Sequence, residues 1–289
     1  PSVAALRRWS LPYHAGPVRF SASSRSRTDF NSASDLLESV CTRASSTAPT
    51  PPRWQGEAPA SLLWVGNSFF YFNNSMHGHL GGLLNAAGVR GIRQTSVTIS
   101  GGGLDWHDMA SHFKPGTGML RYSFTPTNDV AFNQFERAYD MVLMMDCSQC
   151  PIHPKLQQAF HDTAKSHAEA VRRAGAEPAL FLSWAYQDQP QMTEQLAAEY
   201  IKVGRANNMR VVPAGPAFAA SVAKRPDINL YAPDKRHPSL AGTYLGAAVV
   251  MASLFKKSPV DNTYTAGLAP DVAQHLQAVA WETVQSFKP

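Results

Sequence analysis

From about residue 60 onward, apolar runs of strand length alternate with stretches of helical spacing. The runs occupy residues 61–65, 92–100, 141–145, 178–184 and 210–215. Between the first two, Leu80, Leu83 and Leu84 recur at helical intervals and Gly88 is a stop signal. Residues 153–175, ending in Arg172-Arg173-Ala174-Gly175, read as an amphipathic helix, and residues 192–208 read the same way. Strands alternating with helices predict a parallel sheet covered on both faces, a three-layer α/β/α sandwich around five parallel strands. In such sheets a ligand sits outside the carboxyl ends of the strands.

Residues 101–139 are long for a crossover and are expected to form an insertion with one or two helices. Residues 1–58 break the pattern differently, being rich in Ser, Arg, Thr and Pro without periodicity. That composition predicts a leader or disordered segment ahead of one folded domain over 59–289. The net charge of +5 is concentrated there: seven Arg face Asp29, Asp35 and Glu38 within residues 1–53, and the remainder is nearly neutral. A basic nucleic-acid-binding face on the folded part therefore has no support. No run approaches the roughly 20 apolar residues of a membrane helix. The sequence does not separate a cytoplasmic from an exported location.

Candidate chemistry appears where the first run ends, in Gly66-Asn67-Ser68. A serine hydroxyl needs a base, and the base needs a partner that fixes its tautomer. Asp234 and His237 stand three residues apart in a Pro-bounded turn before an apolar helix that Pro238 is expected to open. The Asp can reach back to Nδ1 of the His and leave Nε2 free. Taken singly, a Ser after a strand is an ordinary helix cap and D-x-x-H is common. The pairing at opposite ends of an α/β pattern is what raises them. Cys147-x-x-Cys150 could be a zinc half-site or a redox pair, but too few further ligands accompany it, and it reads instead as two small residues in a turn.

These blocks resemble the SGNH, or GDSL-like, hydrolases over roughly residues 60–258, and more narrowly a branch often known only as a domain of unknown function. The sequence 62–74 is similar to the family's first block, residues 99–107 to its second and 234–245 to its last. The resemblance implies a flavodoxin-like sheet and a serine esterase or acyl hydrolase in which Ser68 is the nucleophile, His237 the base and Asp234 its partner. It also implies an oxyanion hole from the backbone N–H groups of Ser68 and Gly101. The third block departs: Gln149 falls where the family carries an Asn, and Ser148 is the alternative donor. Phe69, Trp106, Trp184 and Tyr186 follow strand ends and are expected to line the substrate site. No metal or organic cofactor is implied. The expected partner is a small ester, with acetyl esters and acylated sugars among the candidates. The rival reading is a catalytically silent module of the same fold that binds carbohydrate or protein.

Overall fold

A computed structural model describes residues 56, 58–114, 122–124, 130–132 and 137–289. The expected leader lies almost wholly outside these residues. The chain enters through β1 (Ser61–Gly66) and the single-turn helix α1 (Ser68–Tyr71), then α2 (Met76–Ala86) and β2 (Arg93–Thr98). After two 3₁₀ turns come β3 (Tyr122–Phe124) and β4 (Val130–Phe132), an antiparallel pair apart from the main sheet. The order then runs β5 (Met141–Met144), α3 (Gln157–Arg173), β6 (Glu177–Phe181), α4 (Met192–Ala206) and β7 (Arg210–Val212). It closes with α5 (Ala214–Lys224), α6 (Leu240–Phe255) and α7 (Pro270–Ser286).

The main sheet is wholly parallel, in the order β2-β1-β5-β6-β7. The chain steps from β1 outward to β2, then crosses back to the other side of β1. The crevice at that reversal, above the carboxyl ends of β1, β2 and β5, is where open α/β sheets bind ligands. Ser68 begins α1 at this place.

Why these residues make a central strand is visible in their burial. Leu62, Leu63, Trp64 and Val65 are all fully buried, as are Met141 to Met144. A strand covered on both faces has no use for polar alternation, and each such side chain contributes roughly 1.5–3 kcal/mol by leaving water. Helix α6 goes further: every residue from Ala241 to Phe255 is buried, between α2 and α7 and against α5. Its start is capped by the Ser239 hydroxyl, which accepts from the Gly242 N–H at 3.2 Å. The cap is therefore Ser239, and Pro238 precedes it rather than opening the helix.

Three other expectations need correction. The described part of the 101–139 insertion holds 3₁₀ turns at Leu104–Trp106 and Met109–Phe113 and the β3–β4 pair, with no α-helix among the described residues. The run at 210–215 is a strand only to Val212; Pro213 cannot donate to a ladder, and α5 starts at Ala214. Cys147 and Cys150 are joined as a disulfide rather than being two unlinked small residues.

The turn from β7 into α5 leaves no room for a side chain at Gly215. A Cβ there would sit 2.3 Å from the Ser183 carbonyl oxygen and 3.1 Å from its carbon. Both are backbone atoms and cannot rotate away. Gly215→Ala is expected to lower the unfolding free energy by roughly 1–3 kcal/mol, as read by urea unfolding followed by circular dichroism.

Candidate active site

The site is built at the tip of β1, where Asn67 caps α1. Its Oδ1 accepts from the Phe69 N–H at 3.2 Å, a cap of the ordinary kind. Its Nδ2 does something a cap does not require. It donates to the carbonyls of Gly102 and Asp146, each at 3.1 Å, and so ties the ends of β1, β2 and β5 to one buried carboxamide.

Ser68 is 6 % exposed and its Oγ lies 2.8 Å from Nε2 of His237. The other ring nitrogen, Nδ1, is hydrogen-bonded to Oδ2 of Asp234. With Nδ1–H donated to a carboxylate, Nε2 is left as the acceptor for the serine proton. Asp234 Oδ1 accepts from the N–H groups of Arg236 and His237, each at 3.0 Å. Burial alone would raise the Asp234 carboxyl; the bonds from the His237 ring and the two backbone N–H groups outweigh it and hold the group at about 2. The aspartate is thus ionised throughout the neutral range.

The 231–238 loop that presents Asp234 and His237 is a closed turn. Tyr231 pairs with Pro238, Ala232 N–H donates to the His237 carbonyl at 2.8 Å, and Lys235 adopts a left-handed conformation (φ 63°). Asn73 Nδ2 donates to the Pro238 carbonyl at 2.9 Å and to Thr243 Oγ1 at 2.8 Å, fastening the segment after α1 to this loop. Asn73, Asn74 and Ser75 all have positive φ (53°, 65° and 70°). Such a run costs strain in non-glycine residues, and it delivers the Asn73 side chain to its two partners.

Aromatic rings complete the setting of His237. Phe72 stacks on the imidazole at 4.1 Å between centroids and 11° between planes, and Phe69 meets it edge-on at 5.3 Å. Phe69 in turn stacks on Trp184 at 4.8 Å, and the Trp184 Nε1–H donates to the Arg236 carbonyl at 3.0 Å. Of the four residues expected to line the substrate site, Phe69, Trp184 and Tyr186 are buried and stand behind the histidine loop. Trp106 is 62 % exposed. Tyr186 bridges two loops, its hydroxyl 2.6 Å from Ser148 Oγ and its ring under the Arg236 guanidinium. Tyr71, which follows Ser68 in the same strand-tip segment, is the other exposed aromatic among the large apolar residues described, and its hydroxyl meets Ser100 Oγ at 3.0 Å.

The second loop turns at Gly101, whose φ of +70° suits glycine. Among the described residues the N–H groups of Ser68 and Gly101 have no hydrogen-bond partner. On the third loop Ser148 Oγ is engaged by Tyr186, and the Gln149 carboxamide makes no hydrogen bond among the described residues. Neighbouring Asp146 is 3 % exposed, and its Oδ1 accepts from Leu104 N–H at 2.8 Å and Cys147 N–H at 2.7 Å. It brings the second loop against the third. The disulfide closes the turn directly after it, with Cys150 N–H directed at Cys147 Sγ.

Asp146, Asn67, Phe72 and Asn73 are the site residues that sequence reasoning missed. The signal available for Asn67 was its place before Ser68 at a strand tip; for Asn73 it was the Asn-Asn-Ser triplet, a composition that favours left-handed backbone.

No family model matches this chain, and no curated protein matches it. Solved structures do. A DUF4886 family protein from Bacteroides uniformis superposes with a TM-score of 0.52 at 17% identity, covering 78% of this chain and 95% of that one. A protein assigned as a GDSL-like lipase from Parabacteroides merdae gives 0.51 at 14% identity, covering 71% and 100%. An assigned SGNH hydrolase from Slackia heliotrinireducens gives 0.48 at 22% identity, covering 67% and 97%. This chain has the fold of the GDSL-like hydrolases. At these identities the likeness is one of architecture, and the chemistry must be argued from the residues.

Burial raises the Asp146 carboxyl to about 6, against the hydrogen bonds from Leu104 and Cys147 that favour its charge. A carboxyl raised on folding contributes stability that is present below its unfolded value and lost as pH rises through the folded one. Burial lowers His107, His112 and His167 nearby, and those act with the opposite sign below neutrality. Comparing Asp146→Asn with the parent chain cancels the histidines, and the Asn oxygen can still accept both bonds. The stability difference should move in the variant's favour by of order 1–3 kcal/mol between about pH 4 and pH 7, measured by urea unfolding across that range.

Proposed function

We propose that this protein is a serine hydrolase that cleaves carboxylic esters. The observation that carries the reading is the single hydrogen-bonded chain from Ser68 Oγ through His237 to Asp234, together with Ser68 and Gly101 N–H groups that have no partner among the described residues. In this reading Ser68 Oγ attacks the acyl carbon as its proton passes to His237 Nε2, and the Asp234 carboxylate stabilises the imidazolium. The carbonyl oxygen becomes an oxyanion facing the N–H groups of Ser68 and Gly101. Collapse expels the alcohol, which takes the proton from His237, and leaves an acyl ester on Ser68. Water, deprotonated by His237, then attacks that ester; the acid departs and Ser68 recovers its proton.

We assign the third oxyanion donor to Gln149. Its carboxamide is uncommitted, whereas Ser148 is held by Tyr186. Trp106 and Tyr71 stand exposed around the Gly101 turn, one following it and one bonded to the residue before it. Exposed aromatic faces beside an ester-cleaving centre suit an acylated sugar or an aryl ester, because both offer a flat apolar face for stacking.

A fluorophosphonate probe tests the central claim. Labelling is expected at Ser68 and absent from Ser68→Ala, and turnover of p-nitrophenyl acetate should fall by roughly 10³-fold or more in that variant. Folded wild-type protein that takes up no probe at neutral or mildly alkaline pH would turn the reading toward a silent binding module. For the donor, Gln149→Ala should lower kcat by roughly 10²-fold with KM little changed, and Ser148→Ala should be mild. The reverse ranking moves the role to Ser148.

A further inference from the structure

Away from the Ser68 site, a cavity of about 570 Å³ opens at the carboxyl ends of β6 and β7. Its size falls within the range of small-molecule sites. The walls come from the loop after β6, the start of α4, one face of α5 and the segment that leads into the 231–238 loop. Phe218, Val222, Ile228 and Leu230 make an apolar interior, and Val222 is 40 % exposed although it lies on the cavity side of α5. We propose that this cavity is a second binding site, for a neutral small molecule with an apolar body and a hydrogen-bonding end.

Three observations shape the assignment. The first is separation. None of Ser68, Asp234 and His237 lines the cavity. Trp184 stands between, stacked on Phe69 on the histidine side at 4.8 Å and on the cavity-wall residue Phe218 at 4.2 Å. The Tyr231 hydroxyl donates to the Ala185 carbonyl at 3.1 Å and closes the partition.

The second is charge. The lining residues include Gln187, Gln191 and Asn229, and among the described residues Glu194 is the sole charged one, with no Lys, Arg or His on the wall. A carboxylate or phosphate ligand would meet Glu194 on the wall, with no cationic side chain among the described lining residues to offset it. The carboxamides offer both donors and acceptors. Asn229 Oδ1 accepts from Tyr231 N–H at 3.0 Å, and its Nδ2 has no partner among the described residues. Hydroxyl, ether or amide groups match such a rim.

The third is attachment. The wall residues Asn229 and Leu230 receive the Ser239 Oγ–H and N–H on their carbonyls, at 2.8 and 2.9 Å. The next residue, Tyr231, pairs with Pro238 beside His237. The wall of the cavity is therefore the foot of the loop that presents Asp234 and His237, and an occupant would press on it. The site itself requires no chemistry at Ser68.

Calorimetric titration of the full chain tests this with n-octyl β-D-glucopyranoside below its micelle concentration, beside octanoate and octyltrimethylammonium. Saturable binding of the glucoside is expected, weakened roughly tenfold or more in Ala219→Trp, which fills the mouth from α5. Ala223→Trp serves the same purpose if the first variant does not fold. Ser68→Ala and Trp106→Ala, at residues that do not line the cavity, should leave Kd unchanged. The proposal is overturned if wild type shows no saturable binding, if both filling variants bind like wild type, or if Trp106→Ala is the variant that loses binding. Octanoate or the ammonium binding as tightly as the glucoside would overturn the assignment to a neutral ligand. Because Ser68→Ala is expected to bind normally, failure here is separate from failure of the esterase reading.

Discussion

The Asn67 carboxamide is buried, and both of its N–H donors go to carbonyls on other strands' loops. Three parallel strands end side by side at the reversal of the sheet, and each ends in a loop with backbone groups the ladder no longer satisfies. A single side chain that bonds to all three loops fixes their relative heights. The Ser68 hydroxyl, the Gly101 N–H and the 147–150 turn are then held in one frame. Asp146 repeats the device from the other side, accepting from Leu104 and from its own neighbour Cys147. The cost is a buried carboxylate, tolerable because it is bonded and because protonation relieves it.

The core strands were legible because a strand buried on both faces is an uninterrupted apolar run, and residues 61–65 and 141–145 are such runs. Ser68, Asp234 and His237 were legible because a hydroxyl, an imidazole and a carboxylate have few reasons to stand at element ends in a spacing that lets them meet. Asn67 and Asp146 were not, since their partners are main-chain atoms at positions 102, 104 and 147. Backbone partners leave no mark on residue identity. Helix α7 went unread because its buried face, Ala273, Leu276, Gln277 and Ala280, includes a polar residue whose amide bonds to Tyr244 and the Asn262 carbonyl. Trp184 was placed correctly at a strand end, but sequence pattern does not distinguish a ring that faces substrate from one that props up a histidine.

The disulfide answers a local need. It closes a turn with only two residues between its cysteines, so it removes less chain entropy than a crosslink over a long loop would. What it constrains is direction: Ser148 and Gln149 lie within the closed ring, next to Asp146. With Ser148 also held by Tyr186, the third loop has little freedom left, and the Gln149 side chain is its adjustable element.

Helix α6 has no solvent face from Ala241 to Phe255, and the 231–238 loop is mounted on its first turn. Displacing His237 as a body would mean sliding a helix gripped by α2, α5 and α7 together. Ser68 has a lighter mounting, a helix of one turn with three left-handed residues soon after it. The two halves of the machinery thus differ in inertia. On the proposed hydrolase reading the imidazole is the fixed datum, and accommodation of differently shaped esters falls to the serine side.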